Sequence, residues 1–345
     1  MSTSEAVLLQ ASESFSATRR RRAFRRLLRD RTAVLGLTVI AIVAGACLLA
    51  PVLAKHDPIV TDFGNRFASP SRAHPLGTDN IGRDVFARIL HGGRLSLGMA
   101  VSATLGITIV GLFLGLVAGV YGRLAETMIM RLVDVLLAMP QLILALVIVG
   151  LLGQGLRNLI ITIILVQWPR YARLVRGMAL RVREQEFVEA ARAVGASRLR
   201  IMLRHIAPNL VGPVVVFSTI DMGSTLLMVS GLSFLGFGVG PPRPEWGAML
   251  AEARAFLDKA PELLVWPGLA ITIMVLAFNL AGDGLRDLLD PRTLEATPGL
   301  ERKWRWRRRR GTAGGPPEAT TIDIGPELAA EPGPVRAGRA SRPSS

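Results

Sequence analysis

The chain has 345 residues, half of them hydrophobic, and its formal net charge at pH 7 is +15. The mean hydropathy is +0.40, and five runs carry no charged residue: 33–54, 95–122, 135–156, 222–242 and 263–282. Because about 20 consecutive apolar residues cross a bilayer core, this pattern excludes an ordinary soluble domain and predicts a membrane protein with several spans.

The first predicted span, 33–54, follows a basic segment, 1–32. Its apolar stretch is longer than the apolar region of a cleaved signal peptide, and 32 residues precede it. We therefore expect an uncleaved transmembrane helix. The arginines between Arg19 and Arg26 loosely resemble a twin-arginine signal, which is the alternative.

The region between the third and fourth uncharged runs requires a further span, at 157–177. Its apolar part, 159–168, is followed by Arg170, Arg173 and Arg176, whose long side chains can extend to the cytoplasmic interface. The chain is thus expected to be an all-α integral membrane protein with six transmembrane helices. We expect these at 33–54, 95–121, 134–153, 157–177, 210–235 and 263–282.

Basic residues are concentrated in alternate segments between the predicted spans. Segments 1–32 and 170–209 hold eight and nine arginines, against three acidic residues each. Loop 55–94 has six basic and four acidic residues, and loop 236–262 has three and four. Since cytoplasmic segments are enriched in Lys and Arg, both termini and 170–209 are expected in the cytoplasm, and the two loops outside.

The segment after the last span, 293–345, begins with a basic run that contains tryptophan, 302–310. Such a run can bind nucleic acid, but beside a membrane span it also binds anionic lipid head groups. We expect membrane lipids, and no nucleic acid, as its partner. The remainder, 311–345, is rich in Gly, Pro and Ala and is expected to be disordered.

Candidate residues for catalysis, metal binding or nucleotide binding are few. Cys47 is the only cysteine, and His56, His74, His91 and His205 lack metal-ligand spacing. None of the three lysines follows a glycine, so the Gly-Lys-Ser/Thr sequence that cradles phosphates is missing. We expect no catalytic residue, metal or cofactor in this chain; if ATP drives it, another chain hydrolyses the ATP.

Two features inside the predicted spans suggest specific roles. Gly111, Gly115 and Gly119 recur every four residues, which predicts the close approach of another helix. Asp221 lies within 210–235, where a carboxylate is costly and usually faces protein or water. It could line a translocation path, lie near the cytoplasmic interface, or pair with an arginine on a neighbouring helix.

The segment 178–209 is a polar, basic stretch between two predicted spans. It contains Glu189-Ala190-Ala191, then Gly195, which is expected to interrupt the helix, and Pro208 thirteen residues later. One helix face carries Phe187, Ala190, Ala191 and Val194, and a second helix, with Ser197 as its N-cap, carries Leu199, Met202, Leu203 and Ile206. Pro208 suits the first turn of a new helix. A short exposed helix between two breaks can dock on a partner; an amphipathic interfacial helix is the alternative.

The order of residues in 178–209 resembles the EAA loop of bacterial binding-protein-dependent ABC importers. Further blocks resemble the dipeptide/oligopeptide permease "C" subunit of that family. They are His-Pro-Leu-Gly-Thr-Asp at 74–79, Gly-Arg-Asp-Val-Phe at 82–86, Leu-Ser-Phe-Leu-Gly at 232–236, Glu-Trp-Gly-Ala-Met-Leu at 245–250 and Gly-Asp-Gly-Leu-Arg-Asp at 282–287. The resemblance runs from about residue 20 to 292, with Ala207 in place of the leucine that usually precedes the proline.

This resemblance implies a type I ABC importer permease fold, with one N-terminal span and a five-helix core inside 95–292. It also implies a second homologous permease subunit, two ATP-binding cassette ATPase subunits, and an extracytoplasmic solute-binding protein. The binding protein is expected to dock on loops 55–94 and 236–262. The expected location is the bacterial plasma (inner) membrane.

The resemblance further implies that five residues couple this chain to the ATPases: Glu189, Ala190, Ala191, Gly195 and Pro208. The implied function is ATP-driven uptake of di- or oligopeptides. A nickel or other small-solute permease of the same family is an alternative. An ion-coupled secondary transporter that uses Asp221 is an alternative from another class.

Overall fold

The structure, a computed structural model, describes residues 30–289, and the side chains of residues 30–286. Within that range the chain is almost entirely helical and has no β-strand, so the all-α prediction is confirmed there. The helices are α1 Arg31–Leu48, α2 Ala50–Leu53, α3 Val85–Tyr121, α4 Arg123–Ala138, α5 Gln141–Leu152, α6 Leu156–Arg183, α7 Glu186–Ala193, α8 Arg198–Ile201, α9 Ala207–Leu232, α10 Trp246–Ala253 and α11 Glu262–Leu289. The predicted cytoplasmic segment 1–32, except its last three residues, and the predicted tail 293–345 lie outside the described residues.

The helices supply the predicted membrane spans. Four described helices are long and apolar enough to cross a bilayer, and the bent pair α4 and α5 makes five if it forms one span. Helix α6 has 28 residues, enough to cross, but the arginines in its second half lower its hydropathy. Together these six units correspond to the six predicted spans.

Helix α3 begins at Val85 rather than at residue 95. Asp84 caps it, because the Asp84 carboxylate accepts a hydrogen bond from the Ala87 amide at 2.8 Å. Its first turns carry Arg88, His91 and Arg94, and these charged or polar side chains made the segment look like loop. The predicted external loop 55–94 therefore ends at residue 84.

The single span predicted at 134–153 consists of two helices, α4 and α5, whose axes differ by 98°. The break falls at Met139, which is extended (φ −92°, ψ 140°). Met139 precedes Pro140, and the proline ring disfavours a helical conformation in the residue before it. The uncharged run is continuous through this point, so hydropathy alone gave no sign of the bend.

Two other predicted boundaries also shift. The first span, predicted at 33–54, ends at Leu48 and is followed by the short helix α2, which has Pro51 in its first turn. Helix α6 continues past residue 177 to Arg183. The polar segment predicted at 178–209 is therefore helical at its start, and only residues 184–197 lie between the end of α6 and α8.

Helices α3 and α6 form the closest pair in the bundle. A Cβ atom on Gly115 would lie 2.6 Å from the Cβ of Val175, and one on Gly119 would lie 2.7 Å from the Cβ of Ala179. Residue numbers of the contacting pairs increase together along both helices, so the two helices run parallel. The predicted role of these glycines in close helix approach is thus confirmed. Helix α9 packs against α3, α6 and α11, and α1 packs against α11 and α3.

The two ends of the bundle are far apart. The longest helix, α3, has 37 residues and is about 55 Å long. We call the end that carries segments 54–84 and 238–261 the loop end. The opposite end, which carries residues 184–197, is the coupling end.

Candidate coupling helix and ion pairs

Helix α7 is anchored to the bundle on one side only. Val188 is fully buried among apolar residues of α3, α6, α8 and α9. Glu189 and Ala190 are exposed, and Ala191 is partly buried. Glu189 lies in the first turn, where a carboxylate interacts favourably with the positive end of the helix dipole. The side of α7 opposite Val188 is therefore exposed.

Gly195 ends α7 in the way that the sequence predicts. Its φ is +80°, its amide donates to the Arg192 carbonyl at 2.9 Å, and the Ala196 amide donates to the Ala191 carbonyl at 3.0 Å. These two bonds and the left-handed residue form a Schellman motif. No atom lies within 4 Å of a Cβ position at Gly195, so the backbone conformation, rather than crowding, favours glycine.

The chain then enters one long helix. Ser197 caps α8, as predicted, since its hydroxyl accepts a hydrogen bond from the Arg200 amide at 3.3 Å. Residues 202–206 form a wider π-helical turn that leads into α9 without a break, so one continuous helix begins at Arg198 and ends before Gly236, whose φ is +93°. Pro208 lies in the first turn of α9. It can donate no hydrogen bond to the preceding turn, and the widened turn accommodates it.

Several apolar side chains near α7 are exposed. Phe187, Ala190, Ala191 and Val194, which the sequence places on one helix face, line one groove, and Val194 is 84% exposed, whereas Val188 supplies the fully buried contact. On the following helix Met202 and Ile206 are buried, whereas Leu199 and Leu203 of the same predicted face are about half exposed. Amphipathic spacing identifies side chains that share a face, but it does not show whether a neighbour covers that face. Exposed apolar clusters of this kind mark interaction surfaces.

Two grooves border α7. A groove of about 550 Å³ is lined by Phe187, Ala190, Ala191, Val194, Ala196, Arg200, Arg204 and His205. A larger one, about 1200 Å³, separates α7 from the turn between α3 and α4, and both Glu189 and Arg192 line it. The structure thus brings Glu189, Ala190, Ala191 and Gly195 together on one exposed element. Pro208 lines neither groove.

Asp221 forms an ion pair with an arginine of a neighbouring helix, the third of the three environments that the sequence left open. Its Oδ1 atom lies 3.3 Å from Nη2 of Arg170 on α6. The Asp221 side chain is 4% exposed and that of Arg170 is 37% exposed. Arg170 lies about 20 Å along α6 from its first residue, near the middle of the bundle. The second carboxylate oxygen of Asp221 has no hydrogen-bond partner among the described residues.

Two further arginines of α6, Arg173 and Arg176, pair with acidic residues of α4. Arg173 Nη2 lies 2.5 Å from Asp134 Oδ1, and Arg176 pairs with Glu126. The sequence predicted that these side chains can extend to the cytoplasmic interface; in the structure each arginine binds a carboxylate of another helix. The acidic partners were missed because they lie about 40 to 50 residues away and share no local pattern with the arginines.

The histidines of the loop end take part in local structure. His74 Nδ1 lies 3.0 Å from Asp84 Oδ1, and the His56 ring packs against the His74 ring with centroids 4.7 Å apart. Among the described residues, no group of three or more His, Cys, Asp or Glu side chains has the geometry to hold a metal ion.

The chain is similar to several known transport proteins. Residues 111–295 match the family described as binding-protein-dependent transport system inner membrane component. Residues 18–70 match the N-terminal TM domain of oligopeptide transport permease C.

Three relatives illustrate the range of the similarity. A dipeptide transport system permease protein of Alkalihalophilus pseudofirmus is 43% identical over 272 residues, which cover 79% of this chain and 90% of the relative. A glutathione transport system permease protein of Escherichia coli O157:H7 is 46% identical over 79% of this chain and 89% of the relative. A nickel transport system permease protein of Escherichia coli K12 is 42% identical over 74% of this chain and 93% of the relative.

The family match at 111–295 covers the end of α3, α4 to α6, the coupling end and α9 to α11. This chain therefore belongs to the family of inner-membrane components of binding-protein-dependent transport systems, as a C-type permease subunit of the dipeptide/oligopeptide class.

Proposed function

We propose that this chain forms half of the translocation channel of an ATP-driven importer and moves di- or oligopeptides inward by alternating access. A second homologous permease subunit would complete the channel. Two ATP-binding cassette ATPases would drive it, and an extracytoplasmic binding protein would deliver the solute. The observation that carries the proposal is α7, a short helix fixed on one side by Val188 and open to a partner on the other.

The proposed coupling residues are Glu189, Ala190, Ala191 and Gly195, with Pro208 as part of the connection to α9. Each ATPase would contact the exposed side of α7 or of its equivalent in the second permease. Because one helix runs from Arg198 through α9, a displacement of α7 would move α9 as a unit. Hydrolysis of ATP would take place on the partner chains, since this sequence has no Gly-Lys-Ser/Thr segment.

The proposed location is the bacterial plasma membrane, with both termini and the coupling end in the cytoplasm. Basic side chains support this orientation, because Lys and Arg are enriched in cytoplasmic segments. The coupling end carries Arg181, Arg183, Arg192, Arg198, Arg200 and Arg204. The loop end has a nearly balanced charge.

The second permease subunit would cover the side of the bundle that α4 and α6 present. Arg173 and Asp134 are both more than half exposed, and Arg170 is partly exposed near the middle of the bundle. Charged side chains inside a membrane face protein or water rather than lipid. We propose that the aqueous path and the second subunit meet this side, and that Asp221 holds Arg170 at the wall of the path.

The peptide assignment is testable with the complete importer in proteoliposomes, supplied with its binding protein. We expect a radioactive dipeptide to accumulate when ATP is inside the vesicles, and not when a non-hydrolysable analogue replaces ATP. Nickel ions are the second candidate solute, because one relative is a nickel permease. Accumulation of nickel without dipeptide would replace the assignment, and uptake driven by an ion gradient without ATP would overturn the importer mechanism.

A further inference from the structure

Four charged side chains at the loop end form a closed ring of ion pairs. Asp79 and Arg83 belong to segment 54–84, Arg88 to the first turn of α3, and Glu252 to the last turn of α10. Arg83 lies 2.6 Å from both Asp79 Oδ2 and Glu252 Oε2. Arg88 lies 3.3 Å from Asp79 Oδ2 and 2.9 Å from Glu252 Oε2. Each carboxylate therefore contacts both guanidinium groups.

Two carboxylates and two guanidinium groups make the ring electrically neutral, and loss of any single member leaves a net charge. Asp79, Arg83 and Arg88 are each less than a tenth exposed, and only Glu252 is partly accessible. Removal of one partner from a buried ion pair leaves an uncompensated charge, which is far more costly than the loss of the pair as a whole. The ring should therefore form or break as a unit, and while formed it fixes its three segments rigidly.

Helix α10 has a separate attachment to α3 that does not involve the ring. Glu245, fully buried, caps α10 and accepts a hydrogen bond from the Ser96 hydroxyl at 2.7 Å. The indole of Trp246 donates to the Ile89 carbonyl at 2.9 Å. Since these bonds already hold α10 on α3, the ring's contribution is to fix segment 54–84 on the far end of α10, beside an apolar cluster that includes Phe67 and Ala253.

The ring lies at one end of a chain of packed helices that leads from the loop end to the coupling end. Helix α10 leads through residues 254–261 into α11, which packs along α9. Helix α9 belongs to the continuous helix that begins at Arg198 beside the coupling helix. A force on segment 54–84 can thus reach the coupling end through the ring, α11 and α9.

We propose that the ring of Asp79, Arg83, Arg88 and Glu252 is a positioning device that transmits docking of the solute-binding protein at the loop end to the ATPases at the coupling end. This inference rests on the proposed function. It assigns no solute contact to the four residues; they act by keeping the docking segment and α10 in one fixed geometry.

The test is the ATPase rate of the complete importer in lipid nanodiscs, titrated with solute-loaded binding protein. For Glu252→Gln we expect the maximal stimulation to fall about tenfold, an effect typical of coupling between distant sites. The basal rate and the binding-protein concentration for half-maximal stimulation should stay unchanged. Asp283→Asn is the control, because Asp283 is an exposed carboxylate on α11 that lies outside the ring and outside both expected docking loops; it should behave as the unchanged importer.

A second variant covers the case in which Glu252→Gln does not assemble. Arg83→Lys keeps every charge but cannot contact two carboxylates with a planar fork, and it should also lower the maximal stimulation. Full stimulation in an assembled ring variant would overturn the inference, as would a change only in the half-maximal concentration, which would indicate a docking contact. No stimulation of the unchanged importer would instead overturn the proposed function, and the inference with it.

Discussion

Glu189→Lys is expected to reduce ATP-driven uptake by about a hundredfold or more, because loss of a charged partner at an interface typically costs about 2–5 kcal/mol. Glu189 is exposed on α7 and lines the larger groove. A lysine there would place a positive charge near the positive end of the helix dipole and in a groove that already contains Arg192. The buried anchor of α7, Val188, would be untouched, so the chain should still reach the membrane.

The matched control for this variant is Glu186→Lys. Glu186 lies in the same first turn and is also exposed, but it lines neither groove. Uptake by Glu186→Lys should stay within a few-fold of the unchanged importer. Equal uptake by the two variants would show that Glu189 has no particular part in coupling. Gly195→Ala tests the same element through its backbone, since the left-handed conformation costs a residue with a Cβ about 1–2 kcal/mol.

Arg170→Met is expected to lower the stability of the folded chain by about 2 kcal/mol, between the values for exposed and buried ion pairs, because only Asp221 of this pair is buried. The methionine fills a similar volume but leaves the buried Asp221 carboxylate without a counter-charge. The double variant Arg170→Met with Asp221→Asn should recover much of this loss, because it removes the unpaired charge. The measurement is the midpoint of thermal unfolding in detergent, followed by size-exclusion chromatography.

Arg173→Met is the control for this experiment. Arg173 and Asp134 form an ion pair in which both side chains are more than half exposed, and such pairs contribute at most about 1 kcal/mol. A large loss of stability for Arg173→Met, or a double variant no more stable than Arg170→Met alone, would contradict the account of the Arg170–Asp221 pair.

Local features of the coupling segment were predictable from the sequence. Gly195 and Ser197 lie where short-range rules for ending and starting helices place them. The structure confirms both. The burial of Val188 was not predictable, because α7 has only eight residues and its covered side depends on α3 and α6. A helix of that length has apolar side chains on more than one face.

The membrane spans show a different limit of sequence analysis. Uncharged runs indicated five of the six units, and the sixth, α6, was inferred from the apolar part before Arg170. The runs placed the start of α3 ten residues late, because Arg88 and Arg94 lie in that helix, and Arg88 is neutralised by Asp79 and Glu252. They also joined α4 and α5 across Pro140, where the local rule for the residue before proline would have indicated a break. Charge partners such as Arg170 and Asp221 come from different helices, so no pattern along the chain reveals them.

The central claim is that this chain works as one subunit of a four-subunit core importer. The most direct measurement is the mass of the intact complex, purified in mild detergent from membranes that also produce its genetic neighbours. The account predicts one copy of this 37.1 kDa chain, one homologous permease and two ATPase subunits in a single particle. Recovery of this chain alone, or of a homo-oligomer without ATPase subunits, in several detergents would contradict it.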